Sequence, residues 1–212
     1  MRRSNNTWAI STISPLVALT LLVVSMAPKA APDITKLTKE CAECHGKKGV
    51  SEDSKTPTIA GMSALYLEES LQAFKNETRP ARVVKRDDKP DTDMIKIVKN
   101  LKNDEIQALT KYYSEQIFVP TTQPFDPDLA KSGGKLHRKY CEKCHENAGR
   151  AKEDDAGILA GQKSKYLSEA LLQFREGKRE MGKKMGKKMQ ALEEKHGPAG
   201  FEQLIHFYAS EQ

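Results

Sequence analysis

The feature that most constrains this 212-residue chain is a five-residue motif, Cys-x-x-Cys-His, which occurs at Cys41 to His45 and again at Cys141 to His145. The two copies lie 100 positions apart, and the same offset aligns the following residues without a gap for more than thirty positions. The matched pairs include Ala60-Gly61 with Ala160-Gly161, Tyr66-Leu67 with Tyr166-Leu167, Phe74 with Phe174 and Arg79 with Arg179. This self-similarity predicts two copies of one structural unit.

A proline-rich segment separates the two copies. Pro120, Pro124 and Pro127 disfavour helix and favour an extended connector. We therefore predict a first domain at residues 33–117, a linker at 118–127 and a second domain at 128–212. Apolar residues recur at helical spacing in both domains, and no stretch alternates convincingly over the length of a strand. The pattern predicts an all-α fold whose small domains each need a buried cofactor for much of their apolar interior.

The repeated motif is typical of covalent haem attachment. Two thiols three positions apart add to the vinyl groups of one haem, and the following histidine binds the iron. The alternatives are half of a zinc site or a redox dithiol. A four-cysteine zinc site would need ligands from two separate domains, and a dithiol does not explain the repeated histidine. We predict two covalently bound haem c groups, attached through Cys41, Cys44, Cys141 and Cys144 with His45 and His145 as iron ligands.

The residue on the opposite side of each iron decides between an electron carrier and a catalyst, because a methionine closes a position that small molecules would otherwise reach. In the first domain we choose Met94 over Met62, since Met62 aligns with Gln162 in the repeat. The remaining histidines are predicted to be surface or helix-packing residues; they are His137, His196 and His206.

Three methionines compete for the same position in the second domain. Met185 precedes Leu192 by seven residues, as Met94 precedes Leu101, and this register favours Met185 as the ligand. Tyr113 and Tyr208 lie near the end of the closing helix predicted in each domain. Counting backward from them selects Met189 instead, but the segment 196–198 resembles an inserted turn that would invalidate that count. Met181 lies too close to Arg179 to leave chain for crossing the haem face.

Residues 1–27 have the order of an export signal, because Arg2 and Arg3 precede an apolar run from Leu16 to Val24. Pro28 would obstruct cleavage after Ala27, so the alternative is an uncleaved membrane anchor at residues 8–27. In either case the rest of the chain is predicted to be periplasmic, and it touches the membrane only if the signal is uncleaved.

The charge of the chain is mildly basic, with 35 Lys and Arg against 29 Asp and Glu. This excess is too small and too scattered to favour a nucleic-acid partner. Within residues 175–188, however, seven basic residues face two glutamates. This run is either a solvated face or a docking surface for an acidic redox partner.

Taken together, these motifs resemble those of the dihaem class I cytochromes of the c-four type. Residues 59–63, 128–130, 136–145, 154–162 and 207–210 are similar to the cytochrome subunit of flavocytochrome c sulfide dehydrogenase. The resemblance implies two tandem cytochrome c-like domains, each wrapped round one covalent haem. The loop at residues 85–93 departs from the family pattern.

The resemblance also implies a function. The protein would carry single electrons and would perform no substrate chemistry of its own. The electrons would come from an FAD-containing sulfide dehydrogenase subunit and pass to another periplasmic cytochrome or an oxidase. A freestanding dihaem shuttle to a terminal oxidase is the alternative. A dihaem peroxidase would need an open iron with an acid or base above it, and no such residue set is evident.

Overall fold

The computed structural model describes residues 31–153 and 155–212, which belong to one unit, Ala31–Gln212. The predicted export signal at 1–27 and the alternative anchor at 8–27 lie outside the described residues. Among the residues that are described, no helix is both long enough and apolar enough to cross a membrane.

The first half consists mainly of helices that begin at polar capping residues. They are α1 (Ile34–His45), α2 (Ala64–Lys75), α3 (Met94–Val98) and α4 (Asn103–Ser114), with a 3-10 turn at Lys47–Gly49 after α1. The side chains of Asp33, Ser63 and Asp93 accept hydrogen bonds from the first-turn amides of α1, α2 and α3. These caps satisfy amides that a helix leaves unpaired, and so fix where each helix starts.

A short β-hairpin between α2 and α3 was not predicted from the sequence. Strand β1 (Val84–Arg86) pairs antiparallel with β2 (Lys89–Thr92), and the Arg86 guanidinium donates hydrogen bonds to the carbonyl oxygen of Pro90 at 2.8 and 3.0 Å. Strands of three and four residues are too short to show alternation in a sequence. The hairpin occupies the loop that departs from the family pattern and leaves the mainly helical architecture unchanged.

The second half repeats the helical order with different lengths. It contains α5 (Pro127–Tyr140), a single turn α6 (Glu146–Gly149), α7 (Ser164–Arg175) and a long α8 (Lys183–Ser210). Helix α8 is broken at Gly197, where φ is 57°, directly before Pro198. Residues 118–126 have no regular secondary structure, and Pro127 is the first residue of α5. The domain boundaries remain a prediction.

Equivalent hydrogen bonds in the two halves make the repeat visible in three dimensions. The amide of Gly61 donates to the carbonyl of Tyr113 at 2.9 Å, and the amide of Gly161 donates to that of Tyr208 at 2.8 Å. Both glycines have positive φ, and a Cβ atom on either would come within 3.0 Å of the linker residues Phe118 or Pro120. Each Ala-Gly loop is thus held against the end of its own closing helix.

The halves are joined by buried polar contacts. Gln162 is fully buried; its side-chain oxygen accepts from the amide of Thr58 at 3.0 Å, and its side-chain nitrogen donates to the Thr58 carbonyl at 2.8 Å. Arg79, also buried, donates to the hydroxyl of Tyr166 at 3.2 Å. Because buried polar groups are costly when unpaired, these contacts define how the halves pack.

Candidate haem-binding sites

A deep cavity in the first half brings together the residues that the sequence predicted to bind one haem. Its wall contains Cys41, Cys44, His45 and Met94, and it leaves about 1420 Å³ between protein atoms, with its open mouth included. Much of the remaining wall is apolar and includes Ile59, Met62, Leu67, Leu71, Phe74, Val98 and Leu109. A wide apolar cavity with two thiols and an imidazole on one side fits a haem attached at that side.

Part of the same cavity is closed by the second half. The residues of α7 in its wall are Tyr166, Glu169, Ala170 and Gln173.

Met62 also lines this cavity. It is 2% exposed and packs in the first core with Leu67, Leu109 and Tyr113. Its side chain therefore contributes to the apolar wall of the cavity, and the choice of Met94 over Met62 stays a prediction.

His45 is held in a fixed orientation by a hydrogen bond to the backbone. It is the last residue of α1, is 7% exposed, and its Nδ1 lies 2.9 Å from the carbonyl oxygen of Pro57. Because a carbonyl only accepts, Nδ1 must carry the proton and Nε2 keeps its lone pair. Burial lowers the pKa of His45, so the imidazole is in the neutral form that binds metals.

The environment of the cysteines argues against a redox dithiol. Burial raises the pKa of the Cys41 and Cys44 thiols, and it raises the pKa of Cys141 to about 11. A redox-active cysteine needs the opposite shift, toward a stable thiolate. A tyrosine hydroxyl lies beside the first sulfur of each motif and lowers the pKa of that thiol in part, Tyr113 at Cys41 and Tyr208 at Cys141.

The β-hairpin is fastened to the first motif. Glu43, inside that motif, pairs with Arg86 at 3.3 Å and with Lys89 at 2.5 Å, while Val84 and Thr92 line the cavity. Sequence reasoning missed these contacts. The adjacent aspartates Asp87 and Asp88 are turn-forming residues and were the only local signal.

The second motif has a different local structure. Helix α5 ends at Tyr140, and residues 141–144 form consecutive turns, whereas the first motif lies in the last turns of α1. Cys141 is half-buried against the second core, and Cys144 is exposed. The same donor set of two thiols and one histidine follows from the chain, so the residues present fit a second haem.

Two of the three methionines of the second half lie on one face of α8. Met185 and Met189 are four residues apart, so they are neighbours on the helix, and both are half-buried. Met189 packs against the second core, as Cys141 does. The choice of Met185 stays a prediction.

The register of the closing helices provides a second criterion. Ile106, Leu109 and Tyr113 of α4 correspond to Phe201, Leu204 and Tyr208 of α8 at an offset of 95, and all six are buried. The same offset places the break at Gly197 opposite Lys102, the residue that precedes α4. The turn at 196–198 is therefore the start of the closing helix rather than an insertion, and this register places Met189 opposite Met94.

The other histidines contact groups away from the first cavity. His206 accepts a hydrogen bond from the amide of Asp126 at 2.9 Å, and the His196 ring packs edge-on against Tyr140. His137 of α5 is buried and contacts Tyr208 of α8 and Glu142 of the second motif.

Comparisons with known proteins agree with this geometry. The family model described as Cytochrome c matches residues 34–115. Cytochrome c4 of Stutzerimonas stutzeri is 32% identical over 149 residues, which is 66% of this chain and 69% of that protein. The thiosulfate dehydrogenase electron acceptor of Stutzerimonas stutzeri (strain A1501) is 36% identical over 75 residues, 35% of this chain and 32% of that protein.

A solved structure covers both halves. The crystal structure of reduced recombinant cytochrome c4 from Pseudomonas stutzeri superposes with a TM-score of 0.68 at 25% identity, over 86% of this chain and all of that chain. The likeness therefore extends beyond the segment matched by the family model and includes the second half.

Proposed function

We propose, on the premise that this chain belongs to the cytochrome c4 family, that it is a periplasmic carrier of single electrons for an enzyme that oxidises reduced inorganic sulfur. Membership of this family brings two covalently bound haem c groups and electron transfer as the general role. The observation that carries the proposal is the first cavity, in which two thiols, His45 and Met94 share one largely apolar wall.

The residues have separate roles in holding the haems. Cys41 and Cys44 would form the thioethers of the first haem, with His45 and Met94 on its iron. Cys141 and Cys144 would do the same for the second, with His145 and Met185 as its ligands and Met189 as the alternative to Met185. When bound, the haem supplies a one-electron couple.

The residues around each haem would set its reduction potential. The Pro57 carbonyl orients His45 through Nδ1. A methionine in the sixth position would exclude small molecules from the iron and raise its reduction potential. An electron carrier, rather than a peroxidase, is the function that such a closed site supports.

The specific donor that we propose is an FAD-containing sulfide dehydrogenase, and the acceptor another periplasmic cytochrome or an oxidase. The resemblance of residues 136–145 and 154–162 to the cytochrome subunit of such flavoproteins supports it. Similarity to a thiosulfate dehydrogenase electron acceptor supports the wider class of sulfur-oxidising partners. A freestanding shuttle to a terminal oxidase is the second candidate, favoured by the match of both halves to cytochrome c4.

Anaerobic reduction by sulfide tests the donor. We expect the isolated holoprotein to be reduced by sulfide much more slowly than the same protein with its co-purified flavoprotein, because the substrate chemistry belongs to the flavin. Stopped-flow absorbance of the reduced haems measures both rates, and thiosulfate serves as the matched alternative substrate. Equal rates with and without the flavoprotein would contradict a flavoprotein donor and leave the shuttle.

The basic run at 175–188 is the proposed docking surface, and its residues differ in their contacts. Arg175 pairs with Glu193 and stacks on Phe201, and Arg179 stacks on Phe174, so both arginines have internal contacts. Four exposed lysines remain on the first turns of α8; they are Lys183, Lys184, Lys187 and Lys188. Lys188 is near enough to the second motif for its charge to act on the Cys141 thiol.

Reversing these four charges should slow electron exchange with an anionic partner. Changing Lys183, Lys184, Lys187 and Lys188 to Glu should lower the rate of oxidation by ferricyanide roughly tenfold at low salt and flatten its dependence on ionic strength, because steering by surface charge is lost. Stopped-flow kinetics at several salt concentrations measure the effect. The matched control changes Lys36, Lys39, Lys47 and Lys48 beside the first motif. Equal slowing in both variants would mean that only net charge matters.

A further inference from the structure

A buried histidine in the second half contacts polar groups at both ring nitrogens. His137 of α5 is 1% exposed; its Nδ1 lies 3.0 Å from the hydroxyl oxygen of Tyr208, and its Nε2 lies 2.5 Å from a carboxylate oxygen of Glu142. Nε2 has no hydrogen-bond partner among the described residues, so the contact with the carboxylate becomes an ion pair only when the ring is protonated. The Glu142 side chain is 40% exposed and connects the buried ring to solvent.

These contacts connect the histidine to the second haem attachment. The Tyr208 hydroxyl also lies beside the sulfur of Cys141 and lowers the pKa of that thiol, as a donor to the sulfur would. The Tyr208 oxygen is then free to accept from Nδ1–H of His137. A second proton at Nε2 makes the ring a cation beside the Glu142 carboxylate, whereas its loss leaves a lone pair facing that carboxylate. The pair of His137 and Glu142 is therefore a site that binds one proton.

Opposing charges set the pH range of this site. Burial lowers the pKa of His137, while Glu142 in the motif and Glu211 after α8 raise it, and Arg138 of α5 lowers it further. Glu211 is itself paired with Arg150. The net direction is downward, so the ring gains its proton as the pH falls through the acid side of the ordinary histidine range.

The first half lacks this site although it has the same tyrosine contact. At the offset of 100, Leu37 stands where the second half has His137, and Ala42 stands where it has Glu142. Tyr113 nevertheless lies beside Cys41 and lowers the pKa of its thiol, as Tyr208 does for Cys141. The molecule thus contains its own control, a haem site without the proton-binding pair.

We propose that the pair of His137 and Glu142 takes up a proton when the second haem is reduced, so that this half couples electron transfer to proton binding. The electron would come from the redox partner to the haem held at Cys141 and Cys144; the proton would come from solvent by way of Glu142 and be held at Nε2 of His137. Reoxidation releases both. Reduction removes one positive charge near the pair, which raises its affinity for the proton. The inference rests on the proposed function, since it needs a haem attached at Cys141.

Potentiometric titration of the holoprotein between about pH 5 and 8 tests the inference. We expect the reduction potential of the second haem to fall as pH rises, while that of the first haem changes less. The Met94→Ala variant identifies the first haem, because it shifts the reduction potential of that haem. A tenfold difference in proton affinity between the two redox states corresponds to about 59 mV in a one-electron couple. Proton uptake on reduction, followed with an indicator dye in weak buffer, is the second measurement.

Two variants separate proton binding from packing. His137→Gln retains a hydrogen-bonding group toward Tyr208 but cannot become a cation, and Glu142→Gln removes the charge at the surface. Both should flatten the pH dependence of the second haem and leave the first haem unchanged. An unchanged slope in the two variants, or no excess slope at the second haem of the native protein, would overturn the inference. A protein that fails to bind two haems, counted as the pyridine haemochromogen, would instead contradict the proposed function.

Discussion

Replacing Met94 with alanine should remove the sulfur-to-iron charge-transfer absorption of one haem and lower its reduction potential by at least roughly 100 mV. The thioether favours ferrous iron, and alanine at this position of the cavity wall offers no ligand. Long-wavelength absorption of the oxidised protein and potentiometric titration measure the two effects. Met62→Ala, in the same wall, is the matched control and should keep the charge-transfer absorption of both haems. A Met94→Ala protein with both bands intact would show that another residue binds the iron.

The same measurement decides the second ligand. The sequence register predicts that Met185→Ala removes the band of the second haem, whereas the register of the closing helices favours Met189→Ala. The two residues are one helical turn apart on α8, so the variants differ little in their general effect on packing. The variant that loses the band identifies the ligand, and loss of it in Met181→Ala would contradict both assignments.

Replacing both Cys41 and Cys44 with alanine should leave a protein with one covalently bound haem instead of two. Mass spectrometry after acid-acetone extraction should show one haem mass, because no cysteine outside the two motifs exists to attach another. The first half should also lose stability, since its cavity of about 1420 Å³ would lack a covalently held occupant.

Matched changes at Cys141 and Cys144 are the control for this experiment. They should remove the other haem and give the same total mass loss. Two haems in either double variant, or bound zinc in the native protein, would contradict covalent attachment at the motifs.

The parts of this molecule that sequence predicted correctly are those determined locally or by repetition. The haem cofactor is indicated by a motif of five consecutive residues, and the helices show their apolar spacing over several turns. The residues that attach each haem stay a prediction. Membership of a two-domain cytochrome architecture followed from the offset of 100 between the motifs. The likeness of both halves to cytochrome c4 confirms that architecture.

The features that sequence did not predict depend on distant partners. The β-hairpin is held by Glu43, more than forty positions from Arg86 and Lys89, and its strands are too short for a periodic signal. The turn at Gly197 looked like an insertion because the two halves differ in length between Arg79 or Arg179 and the closing helix. The buried faces of α4 and α8 support the offset of 95, which the sequence offered only as the less favoured count.

The contact between Gln162 and Thr58 makes the two halves non-interchangeable where they meet. The corresponding residue of the first copy is Met62, which packs in an apolar core and has no amide to offer. Two copies of the first half placed side by side would therefore leave the backbone of residue 58 without this partner. A buried amide and carbonyl would then lack hydrogen bonds, so the sequence repeat does not extend to a symmetric association of its two copies.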